Sequence, residues 1–205
     1  MKIKILGLAI LSLGWIGCAS TTLSSFNDPA YLKREYPAFI IYAPFTDLES
    51  MTIAEQAFGD KAASRDVACT NGSTVVPPTR TMSSVEINDA FVQSKVPAVL
   101  QLDITEEGED TTITPPSWSF GSSTSKEHGK KEKQSWMSFT PGEIITKPRM
   151  RVSLRLIDVQ SNQVAWIGTA HTEGSRWATF STMMYSLAGE AMDQLIDGKM
   201  IHPVR

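Results

Sequence analysis

One stretch of strictly alternating residues constrains the fold of this chain most strongly. Over residues 150–156, apolar and polar side chains alternate without exception, which is typical of a strand with one buried face. Turn-forming residues follow over 158–163, and the apolar run 164–168 comes next. We therefore expect an antiparallel hairpin, and its apolar face needs further strands or helices to cover it.

Apolar patterning elsewhere predicts strands that alternate with helices. Further strand regions are expected at 38–42, at 66–76 with a break at Asn71-Gly72, and at 99–104. Helices are expected at 52–64, at 83–95 and from 180 to Asp197. The order predicts an α/β (α+β) fold, in which a mixed sheet of about five strands carries about three helices.

Local signals mark the expected helix ends. Thr52 with Glu55, and Ser83 with Glu86, have the spacing of capping boxes, in which side chain and backbone bond reciprocally. Gly198 follows the last helix, where a left-handed cap is expected.

The segment 105–146 differs from its surroundings and is expected to be a long hairpin-like insertion. An acidic run at 106–110 is interpreted as a solvated turn rather than a calcium site. Four aromatic residues follow, and they flank a Gly/Ser/Lys-rich stretch at 121–134 that is expected to form a disordered tip. These four are Trp118, Phe120, Trp136 and Phe139.

Two roles are open for these four aromatic residues. Rigid amphipathic side chains suit contact with a partner protein or a membrane interface. Alternatively, they cover the sheet of their own domain.

The N-terminus has the layout of a secretory signal peptide. Lys2 and Lys4 precede an apolar run at 5–16, which is shorter than the roughly 20 residues that span a bilayer. We expect a signal peptide at 1–17, a lipidated N-terminus and flexible tether at 18–36, and one domain at 37–201. A plain cleaved signal and a buried N-terminal helix are the alternatives.

The sequence Trp15-Ile16-Gly17-Cys18 resembles the lipobox of bacterial lipoproteins. The resemblance implies that Cys18 carries a thioether-linked diacylglycerol and an acylated amine. Ala19 takes the place where an Asp favours retention in the inner membrane. It therefore implies attachment to the outer membrane on its periplasmic face, with the lipid as the membrane contact.

Charge and cysteine content narrow the class of partner. Without Lys2 and Lys4 the chain has 17 basic and 22 acidic residues, and this mildly acidic balance argues against nucleic acid as a partner. With Cys18 lipidated, Cys69 is a lone cysteine. It is interpreted as a buried thiol, with a free thiol or an intermolecular bridge as the alternatives.

The sequence contains no recognised catalytic, cofactor or metal motif. His128, His171 and His202 lack the spacing that would place two imidazoles on one helix face, and no nucleophile elbow or phosphate-binding glycine loop occurs. We therefore expect a protein that is not an enzyme and that uses no cofactor or metal. An enzyme or small-ligand binder with a polar pocket around His171 or Asp103 is an alternative.

Several segments together resemble a family of small, uncharacterised outer-membrane lipoproteins of Gram-negative bacteria. They are the lipobox, 25–31, 77–80, the strand at 96–104 and the hairpin that contains Trp166. The hairpin is the most specific of them. Relatives usually show Asp-x-x-Thr-Gly-x-x-x-Trp, whereas Ser161-Asn162 stands here, and Asn tolerates the left-handed conformation of such a turn.

The hairpin is also similar to one in a wider group with an α/β core. That group includes the N-terminal domain of TolB, the curli secretion lipoprotein, the Pel polysaccharide lipoprotein and lipoprotein activators of penicillin-binding proteins. The resemblance implies a non-enzymatic module that docks an envelope protein partner in envelope maintenance or export. The alternative it implies is a homo-oligomer, as a subunit of a secretion or polysaccharide-export ring.

Overall fold

A computed structural model of the chain describes residues 17–45, 47–127 and 130–203, without the side chains of 122–136. The predicted signal peptide lies outside these residues except for Gly17. In chain order the elements are β1 (Ala19–Asn27), β2 (Ala38–Tyr42), α1 (Leu48–Ala63), β3 (Ala68–Asn71), α2 (Gly72–Val75), α3 (Ser84–Gln93), β4 (Ala98–Thr114), β5 (Ser117–Glu127), β6 (Lys130–Thr140), β7 (Glu143–Asp158), β8 (Gln163–Gly174) and α4 (Phe180–Asp197).

Six strands form one mixed sheet in the order β1-β8-β7-β4-β2-β3. Strand β2 is parallel to both β3 and β4, and the β4, β7, β8 and β1 neighbours are antiparallel. Strands β5 and β6 form a separate two-stranded sheet. The predicted fold class, a mixed sheet with helices packed on it and a hairpin insertion, is confirmed.

Helices α1 and α4 pack together over one face of the six-stranded sheet. The alternation of β7 explains why: Met150, Val152, Leu154 and Leu156 are fully buried, while the intervening residues are not. Each such side chain contributes about 1.5–3 kcal/mol on burial. Trp166 from β8 is the largest buried side chain of this core.

Helix α3 lies over the other face of the sheet. No residue of α3 is fully buried, and its contact with the sheet includes an edge-to-face pair between Phe91 and Tyr42 of β2, with ring centroids 5.3 Å apart. Its N-terminus has the predicted capping box: Ser83 accepts from the backbone N–H of Glu86, and the Glu86 carboxylate accepts from the Ser83 N–H.

The expected tether at 18–36 is corrected by the structure. Ala19–Asn27 is an edge strand, β1, paired with β8 over its whole length. Its Ser/Thr-rich sequence shows no apolar alternation, and only Leu23 of this strand is buried. The strand forms because β8 supplies hydrogen-bond partners, which no local pattern reveals.

The capping box expected at Thr52 is also wrong. Helix α1 begins one turn earlier, where the Asp47 carboxylate accepts from the N–H groups of Glu49 and Ser50. Thr52 lies inside the helix and donates to the Leu48 carbonyl. Glu55 is instead buried, and its carboxylate accepts from the backbone N–H and hydroxyl of Ser73, at 2.7 and 2.5 Å.

Two further local expectations are corrected. The strand expected after Asn71-Gly72 is the short helix α2, whose Ser73 is held by Glu55. Gly198 is the C-cap of α4 but has right-handed φ and ψ; the left-handed residue is the following Lys199, with φ of 54°. The helix therefore closes one residue later than predicted.

The turn between β7 and β8 is built around a buried carboxylate. Asp158 is fully buried and accepts from the Tyr36 hydroxyl at 3.0 Å, from the Ser161 N–H at 2.8 Å and from Arg34 at 3.0 Å. Asn162 has a φ of 53°, as its expected left-handed role in the turn requires.

Candidate functional site

Strands β4 and β7 continue past the end of the six-stranded sheet. Strand β8 pairs with β7 up to Arg149, and beyond this point β4 and β7 pair only with each other among the described strands, from Glu109 and Pro148 to Thr114 and Glu143. Strands β5 and β6 then continue this ribbon. We call the ribbon from 109 to 148 the arm. The 11 residues of β5 alone span about 36 Å.

One face of the arm presents apolar side chains to solvent. Trp118 pairs with Phe139, and Phe120 pairs with Met137, so these four side chains lie on one face of the ribbon. Their exposed fractions are 57% for Trp118, 77% for Phe120, 62% for Met137 and 49% for Phe139. The Trp118 and Phe139 rings are in contact, with centroids 4.5 Å apart. We call this set the aromatic face.

The aromatic face differs from the predicted set in one member. The backbone of Trp136 pairs with Gly121, and its side chain lies outside the described part of the chain. Met137 takes the fourth place in the register. Sequence reasoning missed Met137, although its spacing of two residues from Phe139 was a usable signal for one strand face.

The exposure of the aromatic face corrects one of the two interpretations. Trp118, Phe120 and Phe139 are each about half or more exposed, so they do not cover the sheet of their own domain. Over residues 117–119 the other face of the ribbon is polar, with Ser117 opposite Thr140 and Ser119 opposite Ser138. This part of the arm is therefore amphipathic, and its apolar side is unoccupied by the described residues.

Two expectations about the insertion are corrected by strand pairing. The expected disordered tip contains paired backbone out to Glu127 and Lys130. The acidic run at 106–110 is part of β4 rather than a turn, and Arg149 on the facing strand binds Glu106 and Asp110 at 3.4 and 2.7 Å. Cross-strand charge pairing thus accounts for Glu106 and Asp110.

Cys18 lies directly against the folded domain. Cys18 is exposed. Its backbone N–H donates to the Ser175 hydroxyl at 3.2 Å, and its carbonyl accepts from the Ser175 N–H at 2.7 Å. Gly17 packs so closely on the backbone of Trp177 that a Cβ atom there would lie 2.3 Å from the Trp177 carbonyl oxygen.

Cys18 and the arm are at the same end of the sheet. Strand β1 begins with Ala19 opposite Gly174, the last residue of β8, and the arm leaves the sheet beside Glu173 and Arg149. The loop after β8 joins the two features, because Arg176 forms an ion pair with Glu143 of the arm. Sequence reasoning missed this loop, since nothing local relates 176 to 143.

The residues considered for catalysis are dispersed in the structure. His171 is 3.1 Å from Glu173 on the same strand, and His202 is 3.8 Å from Glu35. Asp103 lines an open cleft of about 430 Å³ between the β2–α1 connection and β4. Among the described residues no three His, Cys, Asp or Glu side chains form a metal-binding group. His128 lies outside those residues.

The surroundings of the Cys69 thiol and of the Asp158 carboxyl shift the pKa of each group. Burial raises the pKa of the Cys69 thiol to about 12, which favours the interpretation of Cys69 as an inert, partly buried side chain. Burial also raises the pKa of Asp158, but the Ser161 N–H, the hydroxyls of Tyr36 and Ser161, and Arg34 lower it more. Its net pKa lies below the usual value, so Asp158 is ionised and structural.

No family model matches the chain, and no curated protein matches it. Two solved structures of a PelC dodecamer from Paraburkholderia phytofirmans are similar. One has 14% identity and a TM-score of 0.48 over 88% of this chain and 98% of that chain. The other, a variant, has 14% identity and a TM-score of 0.47 over 93% of this chain and 100% of that chain.

A PDZ domain protein from Parabacteroides distasonis has 7% identity and a TM-score of 0.35, over 87% of this chain and 36% of that chain. Separately, none of the helices within the described ranges has the length and apolar content that crossing a bilayer requires.

Proposed function

We propose that this chain is a lipid-anchored outer-membrane lipoprotein that faces the periplasm and acts as a protein-interaction or assembly module. Its role belongs to cell-envelope maintenance or export, and it performs no catalysis. The single observation that carries the proposal is the exposed aromatic face, held on a two-stranded ribbon at the end of the domain where Cys18 lies.

The aromatic face has the composition of an interface core. Aromatic side chains bury about 150–250 Å² each and dominate interface energies, and a polar rim is typical around them. Here Trp118, Phe120 and Phe139 supply that core, and the Ser and Thr residues of the other ribbon face stay in water. Exposed apolar clusters of this kind mark binding sites because they are unfavourable without an occupant.

The partner we propose is an envelope protein with an apolar groove that accepts the arm. Lipid on Cys18 keeps the domain at the membrane, so the partner is captured in a thin layer rather than from bulk solution.

The buried carboxylates support a role without catalysis, because Glu55 and Asp158 are both engaged in holding the fold.

In-cell photocrosslinking tests the proposal. A photoreactive amino acid replaces Phe120 on the aromatic face, and in a matched strain it replaces Ser119 on the polar face of the same strand. We expect a discrete envelope-protein adduct from position 120 and little from 119. Deletion of 117–139 should abolish capture in a pull-down while the domain keeps a cooperative unfolding transition in urea.

Two outcomes would contradict this function. Equal capture by the deletion variant would show that the arm does not select the partner. Adducts formed only between copies of this chain would point instead to a ring subunit, and light scattering in detergent would then give the copy number. Labelled palmitate entering the wild type but not Cys18→Ser tests the anchor separately.

A further inference from the structure

We propose that the loop between β8 and α4, residues 175–178, is a membrane-contacting surface. In this arrangement Trp177 enters the headgroup region of the bilayer and Ser175 positions the lipidated Cys18 beside it. The inference rests on the proposed lipidation of Cys18 and deepens it, because it states how the domain meets the membrane.

The contact between Cys18 and Ser175 is compatible with a processed N-terminus. Removal of residues 1–17 and acylation of the Cys18 amine convert that amine into an amide, which still carries one N–H. This N–H can donate to the Ser175 hydroxyl as the peptide N–H does now, at 3.2 Å. The second bond, from the Ser175 N–H to the Cys18 carbonyl at 2.7 Å, is unaffected. Both bonds therefore survive lipidation.

Strand β1 holds the proposed lipid attachment site close to the loop. Ala19 is already paired with Gly174, so the lipid leaves the domain within one residue of the sheet. A flexible tether over 18–36 would have allowed the domain to move about 25 Å away from its anchor. With β1 in the sheet, insertion of the acyl chains brings 175–178 to the bilayer surface.

The chemistry of the loop suits that position. Trp177 is 53% exposed, and the Arg176 guanidinium lies 4.9 Å from the centre of its ring. Trp is enriched at membrane interfaces, where an apolar ring with one polar edge is favoured, and Arg extends its charge toward phosphates. Arg176 also binds Glu143, which fixes the loop against the first residue of β7, within the arm.

Fluorescence quenching by brominated lipids tests the proposal. The mature lipidated protein is reconstituted into vesicles of phosphatidylethanolamine and phosphatidylglycerol with bromine on the acyl chains. We expect quenching in the wild type and in Trp118→Phe, and loss of most of that quenching in Trp177→Phe. Trp166 is buried in the core and serves as an unquenched internal reference.

A second pair of variants tests the positioning role of Ser175. Ser175→Ala removes the hydroxyl acceptor and should reduce the quenching of Trp177, whereas Ser175→Thr keeps a hydroxyl and should restore it. Neither variant should change the amount of lipid on the protein. A purely structural role for Ser175 would change thermal stability without changing the quenching.

The failure of this inference can be told apart from failure of the proposed function. Intact mass and vesicle flotation report the lipid: an unmodified protein that does not float contradicts the lipidation. A lipidated, floating protein with unquenched Trp177 overturns the membrane-contacting loop and leaves the anchor intact. Quenching removed by Trp118→Phe instead would place the arm on the bilayer and overturn the assignment to the loop.

Discussion

Removing the Asp158 carboxylate should destabilise the domain more than any exposed ion pair could. In Asp158→Ala the hydroxyl of Tyr36, which is 1% exposed, and the N–H of Ser161 lose their acceptor. Each hydrogen bond to a charged group contributes about 1.5–3 kcal/mol, so the loss of these two costs about 3–6 kcal/mol. We expect the free energy of unfolding to fall by that amount.

The two neighbours of Asp158 provide graded controls. Tyr36→Phe removes one hydrogen bond to a buried charge and should cost about 1.5–3 kcal/mol. Arg34→Ala should cost about 1 kcal/mol or less, because the Arg34 side chain is 43% exposed and its charge is screened by water. The expected order of destabilisation is therefore Asp158→Ala, then Tyr36→Phe, then Arg34→Ala.

Urea unfolding of residues 18–205 with Cys18→Ser, followed by circular dichroism and Trp fluorescence, measures these costs. Because the folded-state pKa of Asp158 is lowered, its stabilisation is present above the unfolded-state pKa, near 3.9. It is lost as pH falls through the folded-state pKa. The difference in the free energy of unfolding between wild type and Asp158→Asn should therefore become smaller as the pH falls. A cost below about 1 kcal/mol for Asp158→Ala, or a difference independent of pH, would refute the reasoning.

Three further outcomes are expected from single sites. Glu55→Ala should cost about 1.5–3 kcal/mol in urea unfolding, because the N–H of Ser73 loses its acceptor; no change would contradict that role. Gly168→Ala should cost about 1–3 kcal/mol in the same assay, since its Cβ would lie 2.6 Å from the Trp166 ring. Cys69 should resist maleimide at pH 8 in the folded protein and react in urea, because its pKa is about 12; fast labelling of the folded chain would count against this.

The strands with their own apolar alternation were predictable from the sequence. In β7, apolar and polar residues alternate so regularly that the buried positions follow from their order in the sequence. The turn at Asn162 follows from the left-handed conformation that Asn tolerates. Strand β1 could not be predicted in this way. Leu23 is its only buried residue, and its formation depends on β8, which lies far along the chain.

The capping-box spacing predicted one helix start and failed for another. Ser83 caps α3 as expected, whereas α1 begins at Asp47 and the Glu55 carboxylate, expected to bond Thr52, binds Ser73 instead. The arm shows the same limit. Its aromatic content was visible in the sequence, but the register that selects Met137 depends on cross-strand pairing.

The placement of β1 determines how the domain responds to force. If a lipid on Cys18 anchors the chain as proposed, a pull on it along the strand acts on β1, which begins at the next residue and runs antiparallel to β8 over nine residue pairs. That load would be shared by the whole hydrogen-bonded ladder as shear, instead of opening the bonds one at a time from an end. A lipid attached at the far end of a flexible linker would offer no such resistance. The edge strand would therefore make the proposed connection between bilayer and domain mechanically stiff.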